Sequence, residues 1–158
     1  MNLTTLGTTG TVTGINLSTL MSPGGNLYCY NNFIADLNAP ASIYPYAIYG
    51  INGNGSQMQI MGIYNNSVYL NATSTGANFG TYGIYLTYLP GSIELKNNIS
   101  VNTSTANGTG ITAAVGFYDY RYSNYSTTSN NNDFYAGVPG PKNLIFYAGP
   151  NQDQTLAQ

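Results

Sequence analysis

The chain has 158 residues, and only 5% of them are Asp, Glu, Lys or Arg, against roughly 25% in an average soluble domain. Its three basic residues, Lys96, Arg121 and Lys142, cannot supply the phosphate contacts of a nucleic-acid surface. With no histidine and one cysteine, the chain has no His-Cys zinc site, no Ser-His-Asp triad and no internal disulfide.

Residues 1–25 carry neither the basic start nor the apolar run of a secretory signal. They read as an N-terminal cap or an incomplete first coil. Residues 26–148 then repeat. Leu27 and Cys29 alternate as in a strand with one buried face. Asn31-Asn32 and the short strand Phe33-Ile34 follow, and half a repeat later comes Tyr46-Ala47-Ile48-Tyr49. The same order returns with Met61 and Ile63, Asn65-Asn66, the strand Ser67–Leu70, a polar loop over 71–80, and Tyr82-Gly83-Ile84-Tyr85. It returns again with Ile93 and Leu95, Asn97-Asn98, Ile99-Ser100-Val101, a loop over 102–110, and Val115-Gly116-Phe117-Tyr118. In the third coil the apolar positions of the short strand are shifted by one. The last coil is atypical: after a loop over 123–130, Thr127 and Ser129 stand where apolar residues precede the other pairs. Asn131-Asn132, Phe134-Tyr135 and Leu144-Ile145-Phe146-Tyr147 complete it. Residues 149–158 read as a C-terminal cap or linker.

The Asn pairs lie 34, 32 and 34 residues apart (65 − 31, 97 − 65, 131 − 97). No stretch has a helical period, good helix formers are scarce, and 13% aromatic residues argue against disorder. The reading is an all-β solenoid, a right-handed parallel β-helix of about four coils of roughly 33 residues. Stacked coils put like residues over like at about 4.8 Å. Asn31, Asn65, Asn97 and Asn131 are then expected to form a structural ladder, because an amide both donates and accepts. Asn also tolerates the left-handed conformation of a tight corner. In the second column the first and third positions are expected to point inward. The fourth, Tyr49, Tyr85, Tyr118 and Tyr147, is expected to form an outward aromatic ladder.

The segments "IYNNSVYLNATSTG", "GIYL", "IELKNNISVNTS", "SNNNDFYAGVPGPKNLIFYAG" and "DQTLAQ" resemble the right-handed parallel β-helix repeats of large secreted or surface proteins of Bacteroidetes and related bacteria. The resemblance runs over roughly residues 27–158. It implies an exported module flanked by other domains of a longer chain, with a structural or adhesive role. The fold is shared with pectate lyases and polygalacturonases, so a polysaccharide lyase or hydrolase whose active site lies elsewhere is the alternative.

The residues favour the non-enzymatic reading. Glycoside cleavage needs paired acids a few ångströms apart. Asp36, Glu94, Asp119 and Asp133 fall at different registers of the repeat. Arg121 could pair with Asp119, but no multi-acid calcium loop is present. Cys29, at an inward position, reads as a small buried hydrophobe. The expected site has no catalytic residue, no metal and no cofactor. Its partner is an extracellular glycan or surface polymer lying on Tyr49, Tyr85, Tyr118 and Tyr147. No run approaches the ~20 apolar residues of a membrane span, so no membrane insertion is expected.

Overall fold

The computed structural model describes residues 2–19, 24–55, 59–87, 90–118 and 122–155. Asp119 and Arg121, and with them their expected pairing, lie outside the described residues.

The strands run β1 Leu3–Thr4, β2 Val12–Thr19, β3 Asn26–Tyr30, β4 Phe33–Ile34, β5 Leu37–Asn38, β6 Ile48–Gly55, β7 Ile60–Tyr64, β8 Ser67–Leu70, β9 Thr81–Leu86, β10 Ser92–Lys96, β11 Ile99–Asn102, β12 Thr112–Phe117, β13 Asp133–Tyr135, β14 Asn143–Ala148 and β15 Asn151–Asp153. They build a right-handed parallel β-solenoid with three principal sheets. One sheet has the order β2-β6-β9-β12-β14-β15, the second β3-β7-β10 and the third β4-β8-β11-β13, with β1 paired to β5. Every pairing is parallel except that of β15, which turns back antiparallel along β14.

The repeat expected from the sequence is the repeat observed. Leu27 pairs with Met61 and Cys29 with Ile63, and these pair in turn with Ile93 and Leu95. Their side chains join one apolar core with Ile34, Val68, Ile51, Ile84, Leu86, Val115 and Phe117. In the atypical last coil the strand before Asn131 is reduced to two bridges, Ile93 to Tyr125 and Lys96 to Asn130.

The corner after each strand of the three-stranded sheet is made by the Asn pair, with a division of labour. The first residues, Asn31, Asn65, Asn97 and Asn131, take φ of 59°, 54°, 55° and 54°, the left-handed turn that Asn tolerates. The ladder belongs to the second residues, which corrects its expected placement on the first. Asn66 Oδ1 accepts Asn32 N and Nδ2 at 3.1 and 2.9 Å. Asn98 Oδ1 accepts the same two groups of Asn66, both at 3.1 Å, and Asn132 Oδ1 those of Asn98 at 3.0 and 2.9 Å. A left-handed first residue swings the second side chain inward, where Asn66 and Asn98 are buried. There it also satisfies main-chain carbonyls, such as Cys29 O from Asn66 Nδ2 and Ile63 O from Asn98 Nδ2. Cys29 abuts the ladder, with Asn32 Nδ2 at 3.4 Å from its sulfur, and burial pushes its thiol up.

The third short strand is in register with its neighbours. Ile99 lies over Ser67, and Ser100 over Val68 and Phe134. The apolar shift seen in the sequence places Ile99 outside and Ser100 inside, where its hydroxyl donates to Ala114 O at 2.8 Å.

The inward neighbours of this column are small. Gly14, Gly50, Gly83 and Ala114 occupy one position between paired registers of the six-stranded sheet. A Cβ on Gly50 would meet Val68 Cγ1, and one on Gly83 would meet Ser100 Oγ. The residue after each, Ile51, Ile84 and Val115, also enters the core. Strict alternation is thus broken by two successive inward residues in each central strand.

Candidate functional site

That break decides what stands on the outer face. With Gly83 and Ile84 both inward, Tyr82 and Tyr85 both point outward, their ring centroids 4.6 Å apart. They form a second cluster with Ala113, Tyr46, Tyr49, Ile111 and Tyr147, separate from the core. The register columns are Thr13–Tyr49–Tyr82–Ala113–Leu144 and Asn16–Asn52–Tyr85–Gly116–Tyr147.

The four tyrosines expected to form one ladder therefore do not share a register. Tyr85 and Tyr147 share a column, with Gly116 between them. Tyr49 stands in the other column, and Tyr118 follows the last paired residue of β12. Tyr49, Tyr85 and Tyr147 still meet in one patch. Tyr85 is 2% exposed and Tyr118 45%. Tyr46 and Tyr82, expected inward, belong to the outer patch as well.

The rings pack because the neighbouring coil is small. Ala113 and Gly116 carry almost no side chain, and a Cβ on Gly116 would stand 2.9 Å from atoms of both Tyr82 and Tyr85. Tyr46 stacks on Tyr82 at 5.5 Å with 9° between planes, and Tyr49 on Tyr85 at 5.2 Å and 28°. Tyr147 closes on Tyr82 at 6.0 Å. Such pairs contribute about 0.5–1.5 kcal/mol each beyond burial. In the same column Asn52 Nδ2 donates to Asn16 Oδ1 at 3.1 Å, while Asn52 Oδ1 is shielded without a hydrogen-bond partner.

The cluster disfavours phenolate. Burial, with the Tyr147 phenol beside it, pushes Tyr46 up to about 12. Burial first, and neighbouring phenols second, raise Tyr49, Tyr82 and Tyr85 further. A phenol whose pKa is raised on folding stabilises the fold below its unfolded pKa, and that contribution is lost as pH rises. The melting temperature is expected to hold up to about pH 10 and to fall steadily as pH climbs towards about 12 and beyond. Scanning calorimetry across that window checks it, with phenolate absorbance followed in parallel. A melting temperature that ignores the rise in phenolate would show that the patch titrates freely.

Among the described residues the acids do not gather. Glu94 lies on the register of Tyr28 and Gly62, on the outside of the three-stranded sheet. Asp133 lies on that of Phe33, Ser67 and Ile99, on the outside of the four-stranded sheet. Asp36 sits at a left-handed turn with φ of 60°. Among the described residues no group of three His, Cys, Asp or Glu could hold a metal ion. No described helix is long and apolar enough to cross a membrane.

No protein-family model, curated protein or solved structure matches the chain. The strand pairing alone establishes the repeat and the β-solenoid fold.

Proposed function

We propose that the chain is a non-catalytic structural and adhesive module of an exported bacterial surface protein, and that its tyrosine patch contacts an extracellular glycan. The observation that carries the reading is the patch itself. Tyr82 and Tyr85 are buried and support the patch from beneath, and Tyr44 and Tyr118 are the exposed rings a ligand reaches. Tyr44 is held against Tyr46, their ring centroids 5.7 Å apart. Rings held by their neighbours lose little side-chain entropy when a ligand arrives. The C–H face of a sugar lies on such a ring, and phenol hydroxyls bond its hydroxyls. The scattered acids support the non-catalytic part, and the neutral polar surface suits a module outside the cell.

Affinity electrophoresis in gels cast with soluble plant and bacterial polysaccharides tests this. Retention of the parent chain is expected in at least one polymer. It should weaken about tenfold in the Tyr44→Ala/Tyr118→Ala variant, as for loss of interface anchors. Unchanged retention in that variant sinks the patch as the contact. Appearance of new reducing or unsaturated ends in the same polymers sinks the non-catalytic reading.

A further inference from the structure

The outer face of the three-stranded sheet carries a second constellation. Alternation along β3 turns Leu27 and Cys29 inward and Tyr28 and Tyr30 outward, 45% and 58% exposed. At the same registers the next coil has Gly62 and Tyr64, and the one after has Glu94 and Lys96. Gly62 is the gap at the centre of this grid. A Cβ there would meet the end of the Tyr64 ring and the edge of Tyr28. Tyr64 therefore leans across Gly62, its ring 5.8 Å from that of Tyr28 at a tilt of 33°.

This lean brings the Tyr64 hydroxyl to Glu94, donating to Oε2 at 2.6 Å. Lys96 Nζ donates to the same oxygen at 2.9 Å and stands 5.6 Å from the Tyr64 ring centroid. Thr128 donates to Oε1 at 3.2 Å. Three donors fix the carboxylate and hold it below the usual carboxylate range, the Tyr64 hydroxyl contributing most. Oε1 keeps room for a second donor, and the ammonium keeps protons beyond the one given to Glu94. The result is an aromatic floor of three rings with a fixed acceptor and a fixed donor beside it. Its charges cancel within the site.

We propose that this face is a second glycan-contact site, selective for a neutral hexopyranosyl chain. The sugar C–H faces lie on Tyr28 and Tyr30, and hydroxyls bond Lys96 Nζ and Glu94 Oε1. A neutral ligand follows from the internal pairing of Lys96 with Glu94, which leaves no surplus charge to attract an anion. The inference shares its ligand class with the function proposed above, but its residues lie on another sheet. One module with two such faces holds two polymer strands at once, so avidity rather than single-site affinity sets its grip.

Affinity electrophoresis in galactomannan and mixed-linkage β-glucan, with polygalacturonate as the acidic contrast, tests the site. Tyr28→Ala/Tyr30→Ala is expected to weaken retention in a neutral polymer about tenfold and to lower the melting temperature by only about 2–4 °C, through loss of the Tyr28–Tyr64 ring contact. Combining it with Tyr44→Ala/Tyr118→Ala is expected to abolish retention. Retention unchanged by Tyr28→Ala/Tyr30→Ala but lost on Tyr44→Ala/Tyr118→Ala overturns the second site and leaves the first. Retention in polygalacturonate alone overturns the neutral selectivity. Absence of retention of the parent chain in all three polymers overturns the second site as stated.

Discussion

Asn98→Asp is expected to cost on the order of 4 kcal/mol at neutral pH, a large fraction of the roughly 5–15 kcal/mol that holds an ordinary domain. Asn98 is 1% exposed. Its Nδ2 donates to Ile63 O at 2.8 Å and to Asn132 Oδ1 at 2.9 Å. A carboxylate keeps the acceptor for Asn66 but loses both donors. Ile63 O loses its side-chain donor, the new oxygen faces Asn132 Oδ1, and a charge is buried without a cation. In acid the neutral carboxyl regains one donor, so the deficit should shrink as pH falls. Asn32→Asp should cost less, since Asn32 is partly exposed and stands in the first rung. Urea unfolding followed by circular dichroism at two pH values checks this. A loss below about 1 kcal/mol for Asn98→Asp, within the net value of one ordinary hydrogen bond, would show that the ladder is not cooperative.

Gly83→Ala is expected to cost about 3 kcal/mol, the upper range for overpacking. The added Cβ would overlap Ser100 Oγ and stand 2.6 Å from Ala114 O. The first obstacle is a side chain that can be trimmed, and the second is backbone. Ser100→Gly in the same chain should therefore recover part of the loss and not all of it. Full recovery would mean that β9 and β12 can shift apart, and no recovery that the backbone clash dominates. The position between sheets at Gly50 and Gly83 is thus set by close approach of two faces, with no need for a left-handed turn.

The low charge content has a physical reason in this fold. Parallel stacking places each side chain about 4.8 Å from its counterpart in the next coil, so a charged column would repel itself. The one ion pair among the described residues, Lys96 with Glu94, lies within a single strand, where opposite signs alternate on one face.

By itself the sequence determined the all-β class, the repeat, the inward alternation of Leu27, Met61 and Ile93 with their partners, and the Asn corners. These are local properties. Period-2 burial, turn-forming Asn and self-similarity at about 33 residues are written along the chain. The tertiary structure decided register. Adjacent Asn residues look alike in sequence, and only the left-handed φ of the first assigns the ladder to the second. The tyrosines are the clearer case. Leu144–Tyr147 does align with Tyr82–Tyr85, but Tyr46–Tyr49 is offset by three residues and residues 115–118 by two. The double inward pair, such as Gly83 with Ile84, sets the register where the facing sheet comes close, and each coil places its tyrosines at a different distance from that pair. Inter-sheet distance is a property of the closed coil. No single strand carries it, so which tyrosines meet was settled only when the coils stacked.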